Sequence, residues 1–124
     1  MTELLLLTLA GGLGAVVRYV VDAWIRTRTG SATFPWPTAI INLTGSLALG
    51  LLTGLIAGRL APEALGAVLG TGFLGGYTTF STASYELVQL VRKKQVGTAL
   101  AYGVGVLVAS VALAYLGLRW AADW

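Results

Sequence analysis

Cysteine and histidine are both absent from this 124-residue chain, and charged residues make up only 10% of it. Without cysteine there is no disulfide, no thiolate metal site and no cysteine nucleophile. Without histidine the commonest general base and metal ligand is missing as well. The five carboxylates are scattered from Glu3 to Asp123 with no paired arrangement, so an enzyme is not expected. A formal charge of +3, divided among several connections, is too small to suggest nucleic-acid binding. Nor can so little charge cover the surface of a soluble domain.

What the chain does have is 56% hydrophobic residues, 17 glycines and a mean hydropathy of +0.81. These values place it among membrane proteins. Residues 38–58, 64–85 and 95–118 carry no charge, and each suits a span of roughly 20 helical residues. Residues 4–17 are short alone, but Arg18 can snorkel, so a first helix running to about Trp24 is expected. The acid at Glu3 argues against a basic secretory signal, and the first segment reads as a retained helix. Trp24, Trp36, Trp120 and Trp124 fall at the expected ends, where interfacial aromatics belong. Short connections at 26–37, 59–63 and 92–94 make residues 1–124 a single four-helix transmembrane domain. One set of ends carries Arg26, Arg28, Arg92, Lys93 and Lys94, the other Arg59 and Arg119. That bias is too modest to fix an orientation.

The third segment contains Gly75-Gly76-Tyr77-Thr78-Thr79-Phe80-Ser81-Thr82-Ala83-Ser84. A glycine pair followed by two threonines readily breaks helical hydrogen bonding and frees carbonyl oxygens. Lipid satisfies neither loose peptide groups nor hydroxyls, so the segment is expected to be buried in protein or to line a polar path. Either a kink healed by hydroxyl side chains or a cation bound by free carbonyls fits this composition. Upstream, Gly70-Thr71-Gly72-Phe73-Leu74-Gly75 matches G-x-G-x-x-G, but no strand precedes it, which sets a nucleotide role aside.

In the second segment Thr38, Asn42, Ser46, Gly50, Gly54 and Gly58 recur every fourth residue. The glycine part reads as a packing seam. Asn42 is either an interhelical hydrogen-bonding residue or a donor to an anion. Arg18 either pairs with Asp22 or snorkels, or else lends positive potential to a vestibule. Tyr102 and Ser110 share a face of the fourth segment, with Val106 between them.

Together these motifs resemble the Fluc/CrcB family of fluoride ion channels. The resemblance rests on 11–19 (GGLGAVVRY), on Thr38, Asn42, Gly45, Ser46 and Gly50, and on 72–82 (GFLGGYTTFST). It implies an antiparallel, dual-topology homodimer in a prokaryotic inner membrane, exporting fluoride passively through two pores and conferring fluoride resistance. A structural Na⁺ at the dimer centre would be held by the backbone carbonyls of Gly75 and Thr78. Asn42 and Phe80 would line the fluoride path, with Thr38, Thr79, Ser81, Ser84, Tyr102 and Ser110 as further polar lining. The implied partners are the fluoride ion, a second copy and membrane lipid, with no nucleic acid. One departure is plain: the family's second aromatic falls at Ala83 here. The competing classes are a small dual-topology multidrug transporter and a non-transporting membrane assembly protein. The first wants a carboxylate deep in its first helix, where only Glu3 and Asp22 flank it. The second leaves a polar, broken third helix without a purpose.

Overall fold

The computed structural model describes residues 1–124, all of them helix or short connection. Helix α1 spans Thr2–Thr29, α2 spans Trp36–Ala57, and α5 spans Val96–Ala122. Each of these three is long and apolar enough to cross a membrane. The third segment divides into α3, residues 63–77, and α4, Ser81–Arg92, so it is a bent fourth element. Within α3, Gly66–Leu74 is a π-helix, flanked by α-helical turns Glu63–Leu65 and Gly75–Tyr77.

Helix α1 is one turn longer than the expected end at Trp24. Asp22 accepts from Arg26 Nε at 2.8 Å, and Arg28 lies over the Trp24 ring 5.0 Å from its centroid. Both contacts hold the last turn together, and the basic side chains suit a helix C-terminus. Gly30, at φ 58°, then turns the chain into a connection far shorter than the sequence suggests. Helix α2 opens with Pro37 in its first turn, where a missing N–H costs nothing.

Two helix pairs make up the body. Helices α2 and α5 touch along a seam at Gly50 and Gly54: a Cβ on Gly50 would run into the Ala114 carbonyl, and one on Gly54 would meet the Leu118 carbonyl at 2.6 Å. Backbones this close gain dispersion contact without ordering any side chain, which drives association where lipid is as apolar as leucine. The seam ends there, because Gly58 has nothing nearer than 3.4 Å. Helix α1 packs on α3 in the second pair. Only 17 of 124 residues are buried, while leucines and valines of α1 and α5 stand exposed. Such faces suit lipid rather than water.

Candidate functional site

The bend between α3 and α4 is centred on residues 78–80, three residues beyond the glycine pair that marks it in the sequence. Gly75, Gly76 and Tyr77 keep a helical turn, and Thr78 leaves it with φ −82° and ψ 160°. Two side-chain clamps from α2 and α1 hold the irregular stretch. Asn42 on α2 makes a paired contact with Thr79, donating Nδ2–H to the Thr79 carbonyl at 2.8 Å and accepting the Thr79 N–H on Oδ1 at 2.9 Å. The amide thus imitates a neighbouring peptide, which satisfies both polar groups of a residue that has left the helix. Its second Nδ2 hydrogen has no protein acceptor. Arg18 on α1 donates Nε–H to the Gly76 carbonyl at 3.1 Å. Its expected partner Asp22 is engaged by Arg26 in the chain's one salt bridge.

The hydroxyls of the break are also engaged locally. Thr78 Oγ1 donates to the Leu74 carbonyl, which already accepts the Thr78 N–H. Thr79 Oγ1 accepts the Thr82 N–H at 3.2 Å and so caps α4. It also lies 3.1 Å from Thr82 Oγ1 and 3.4 Å from Ser81 Oγ. No donor reaches the carbonyl oxygens of Gly75, Tyr77 or Thr78. The Phe80 ring projects outward, 87% exposed, and Gly75 and Ser81 are exposed with it. Ser84 is half-buried on the first turn of α4.

A second polar group lies toward the far end of α4. Tyr102, 2% exposed, donates its hydroxyl to Glu86 Oε1 at 3.3 Å, and Thr38, 1% exposed, stands beside it. Thr38, Tyr102 and Glu86 therefore form one cluster on three helices. Ser110 lies two turns along α5 from Tyr102, and its buried Oγ has no partner. Ala83 packs with Val106 against the apolar cluster of Ala39, Leu90, Ala99 and Tyr102, so the position of the missing aromatic faces the interior beside Tyr102. The site residues thus fall into two groups, Arg18, Asn42 and 75–81 at the break, and Thr38, Tyr102 and Glu86 below it.

Sequence reasoning attached no role to Glu86, although a carboxylate immediately after the uncharged span 64–85 signals a polar partner. It also missed the contact of 3.0 Å between Thr44 Oγ1 and the Tyr77 hydroxyl. Thr44 lies off the four-residue stripe that drew attention to α2. The G-x-G-x-x-G run lies within the π-helix and its last turn, with helix and not strand before it.

Three membrane-competent helices and a bent fourth, with a polar backbone break clamped by Asn42 and Arg18, define a helical membrane protein. The CrcB-like protein, camphor resistance (CrcB) family matches residues 5–118. A fluoride-specific ion channel FluC 1 of Leifsonia xyli is 51% identical over 120 residues, 95% of this chain and 87% of the relative. One of Symbiobacterium thermophilum is 49% identical over 116 residues, 88% and 93% of the two chains. A fluoride-specific ion channel FluC of Thermus thermophilus is 44% identical over 116 residues, 93% and 90% of the two. The chain belongs to the CrcB family; it is an integral membrane protein of the bacterial membrane, and not an enzyme.

Proposed function

We propose that this chain is a passive fluoride channel that lets fluoride leave the cytoplasm. The observation that carries the reading is the break at 78–80, where weak neutral donors and an aromatic edge collect beside a single guanidinium. Fluoride is strongly hydrated, and a dry path must replace its water with several modest donors, because one strong site would hold the ion. The free Nδ2 hydrogen of Asn42, the positive ring edge of Phe80 and the hydroxyls of Thr38, Thr79, Ser81, Ser84, Tyr102 and Ser110 supply such donors. Thr79 already donates its hydroxyl to Thr82 Oγ1 and Tyr102 to Glu86, so they would have to exchange these partners as an ion passes. Anion exit gains about 2.3 kcal/mol per charge per 100 mV of interior-negative potential, which makes a pump unnecessary.

The working unit in this reading is an antiparallel homodimer of two single-domain copies with two pores. Its support is physical: backbone carbonyls without donors in a membrane-spanning fold need cover that lipid does not give. A second copy laid across the break would provide it. The donor-less carbonyls of Gly75 and Thr78 also fit a hard cation that prefers neutral oxygens, and they are the groups that would hold a structural Na⁺. When bound, that ion supplies positive charge at the centre of the assembly.

The deciding experiment uses the purified full chain in liposomes loaded with fluoride or chloride, with and without a pH gradient. Fluoride release without a proton gradient, with chloride retained, is expected. Equal chloride flux, or strict dependence on the pH gradient, overturns the channel reading. Protein purified and reconstituted without Na⁺ should lose its dimer or its flux; full retention of both removes the Na⁺ from the proposal.

A further inference from the structure

We propose that Arg18 is a positioning residue of the helix break, its Nε–H removing the torsional freedom that glycine brings to position 76. Gly76 is required for space, since a Cβ there would run into the carbonyl of Gly11 on α1. The cost of that close approach is a backbone with more accessible torsions than any other residue allows. The site lies just where such freedom is unwelcome, because the peptide group carrying the Gly76 carbonyl sits between the donor-less carbonyls of Gly75 and Thr78. Downstream the chain is fixed by Asn42 on Thr79, and upstream by the double contact of Thr78 with the Leu74 carbonyl. Between those anchors the Arg18 contact, 3.1 Å long, is the one hydrogen bond to an otherwise unpaired carbonyl.

Pinning that carbonyl restricts ψ of Gly76 and φ of Tyr77, the torsions that set the Gly75 and Thr78 carbonyls relative to each other. Arg18 is well suited to the task. It is half-buried, carries no carboxylate partner, and donates from Nε, close to its stem, so the contact transmits little side-chain slack. The guanidinium also makes this a charge-assisted bond, stronger than a neutral one.

Three substitutions separate positioning from simple charge. Arg18→Gln places an N–H donor at the position of Nε and removes the charge. Arg18→Lys keeps the charge but puts a methylene where Nε stood, and Arg18→Met removes charge and donor together. Amide hydrogen exchange at Thr78 and Thr79, measured on the full-length protein in detergent, reports the break directly. Fluoride flux from liposomes reports its consequence, and only this arm rests on the channel reading. Exchange should quicken in Arg18→Met and stay near wild type in Arg18→Gln. Flux should fall roughly tenfold or more in Arg18→Met, the scale of one charged hydrogen bond, with Arg18→Gln above Arg18→Lys. Wild-type flux in Arg18→Lys with loss in Arg18→Gln would show that charge acts and overturn the inference, as would unchanged exchange in Arg18→Met. If Arg18→Met does not assemble, the order of the other two variants still decides. Absence of flux in the wild-type protein defeats the channel reading and leaves the exchange result to stand by itself.

Discussion

Replacing Asn42 by Asp keeps the size of the side chain and reverses half of its chemistry. The acceptor that receives the Thr79 N–H survives, and charge strengthens it. The donor to the Thr79 carbonyl is lost, and a carboxylate oxygen now faces that carbonyl. Leaving one such acceptor unsatisfied costs about 1–3 kcal/mol, a fraction of the 5–15 kcal/mol typical of folded domains. Assembly should therefore persist. Transport is another matter. A carboxylate about 4 Å from a passing anion, at an effective dielectric constant near 20, opposes it by about 4 kcal/mol. That corresponds to roughly a thousandfold in rate at 1.36 kcal/mol per decade. Asn42→Ala serves as the control: it adds no charge but strands both polar groups of Thr79, at about 2–6 kcal/mol in all. It should be the less stable of the two. Size-exclusion chromatography, thermal unfolding in detergent and liposome fluoride flux measure these outcomes. Wild-type flux in Asn42→Asp, or an Asn42→Ala protein as stable as the parent, would refute the reasoning.

Phe80→Ile removes the aromatic edge while roughly keeping bulk, and because the ring is exposed the isolated fold should survive while flux falls severely. Normal conduction with assembly intact would leave Asn42 and the hydroxyls as the ion's partners. Ala83→Phe would place a ring into the cluster around Tyr102, where overpacking costs about 1–3 kcal/mol; thermal unfolding of this mutant and of the double mutant reads that cost. Rescue of Phe80→Ile by Ala83→Phe would show that the second ring position still fits. If copies insert in both orientations, a tag on the N-terminus should be accessible from both sides of the membrane. Labelling from one side alone would exclude dual topology.

The apolar spans were legible because membrane burial demands long uncharged runs, and 38–58 and 95–118 announce themselves by composition. The glycine seam was legible at Gly50 and Gly54, where small residues spaced by four form one face. The break was legible in kind and in region, since 78–80 lies inside the Gly75–Thr82 stretch, but the residue that leaves the helix was not. Gly75 and Gly76 are permissive, but permission to leave a helix is not a reason to do so. The reasons lie in other helices: Asn42 offers Thr79 a replacement peptide partner, and the Thr79 hydroxyl starts a new helix at Ser81. Arg18 was ambiguous for the same cause, since a local carboxylate and a carbonyl 58 residues away were both within its reach in principle. The π-helix at Gly66–Leu74 left no local mark, because its glycines and aliphatic residues suit an α-helix equally well.

The seam between α2 and α5 has a genetic consequence. Any glycine codon lies one nucleotide from codons for alanine, valine, arginine and an acidic residue, and no missense change can make a side chain smaller. At Gly50 the most conservative of these changes already drives a methyl group into the Ala114 carbonyl. The position therefore has no gradual path away from glycine. Spontaneous loss-of-function alleles should collect along this seam, at positions that offer the ion no polar side chain.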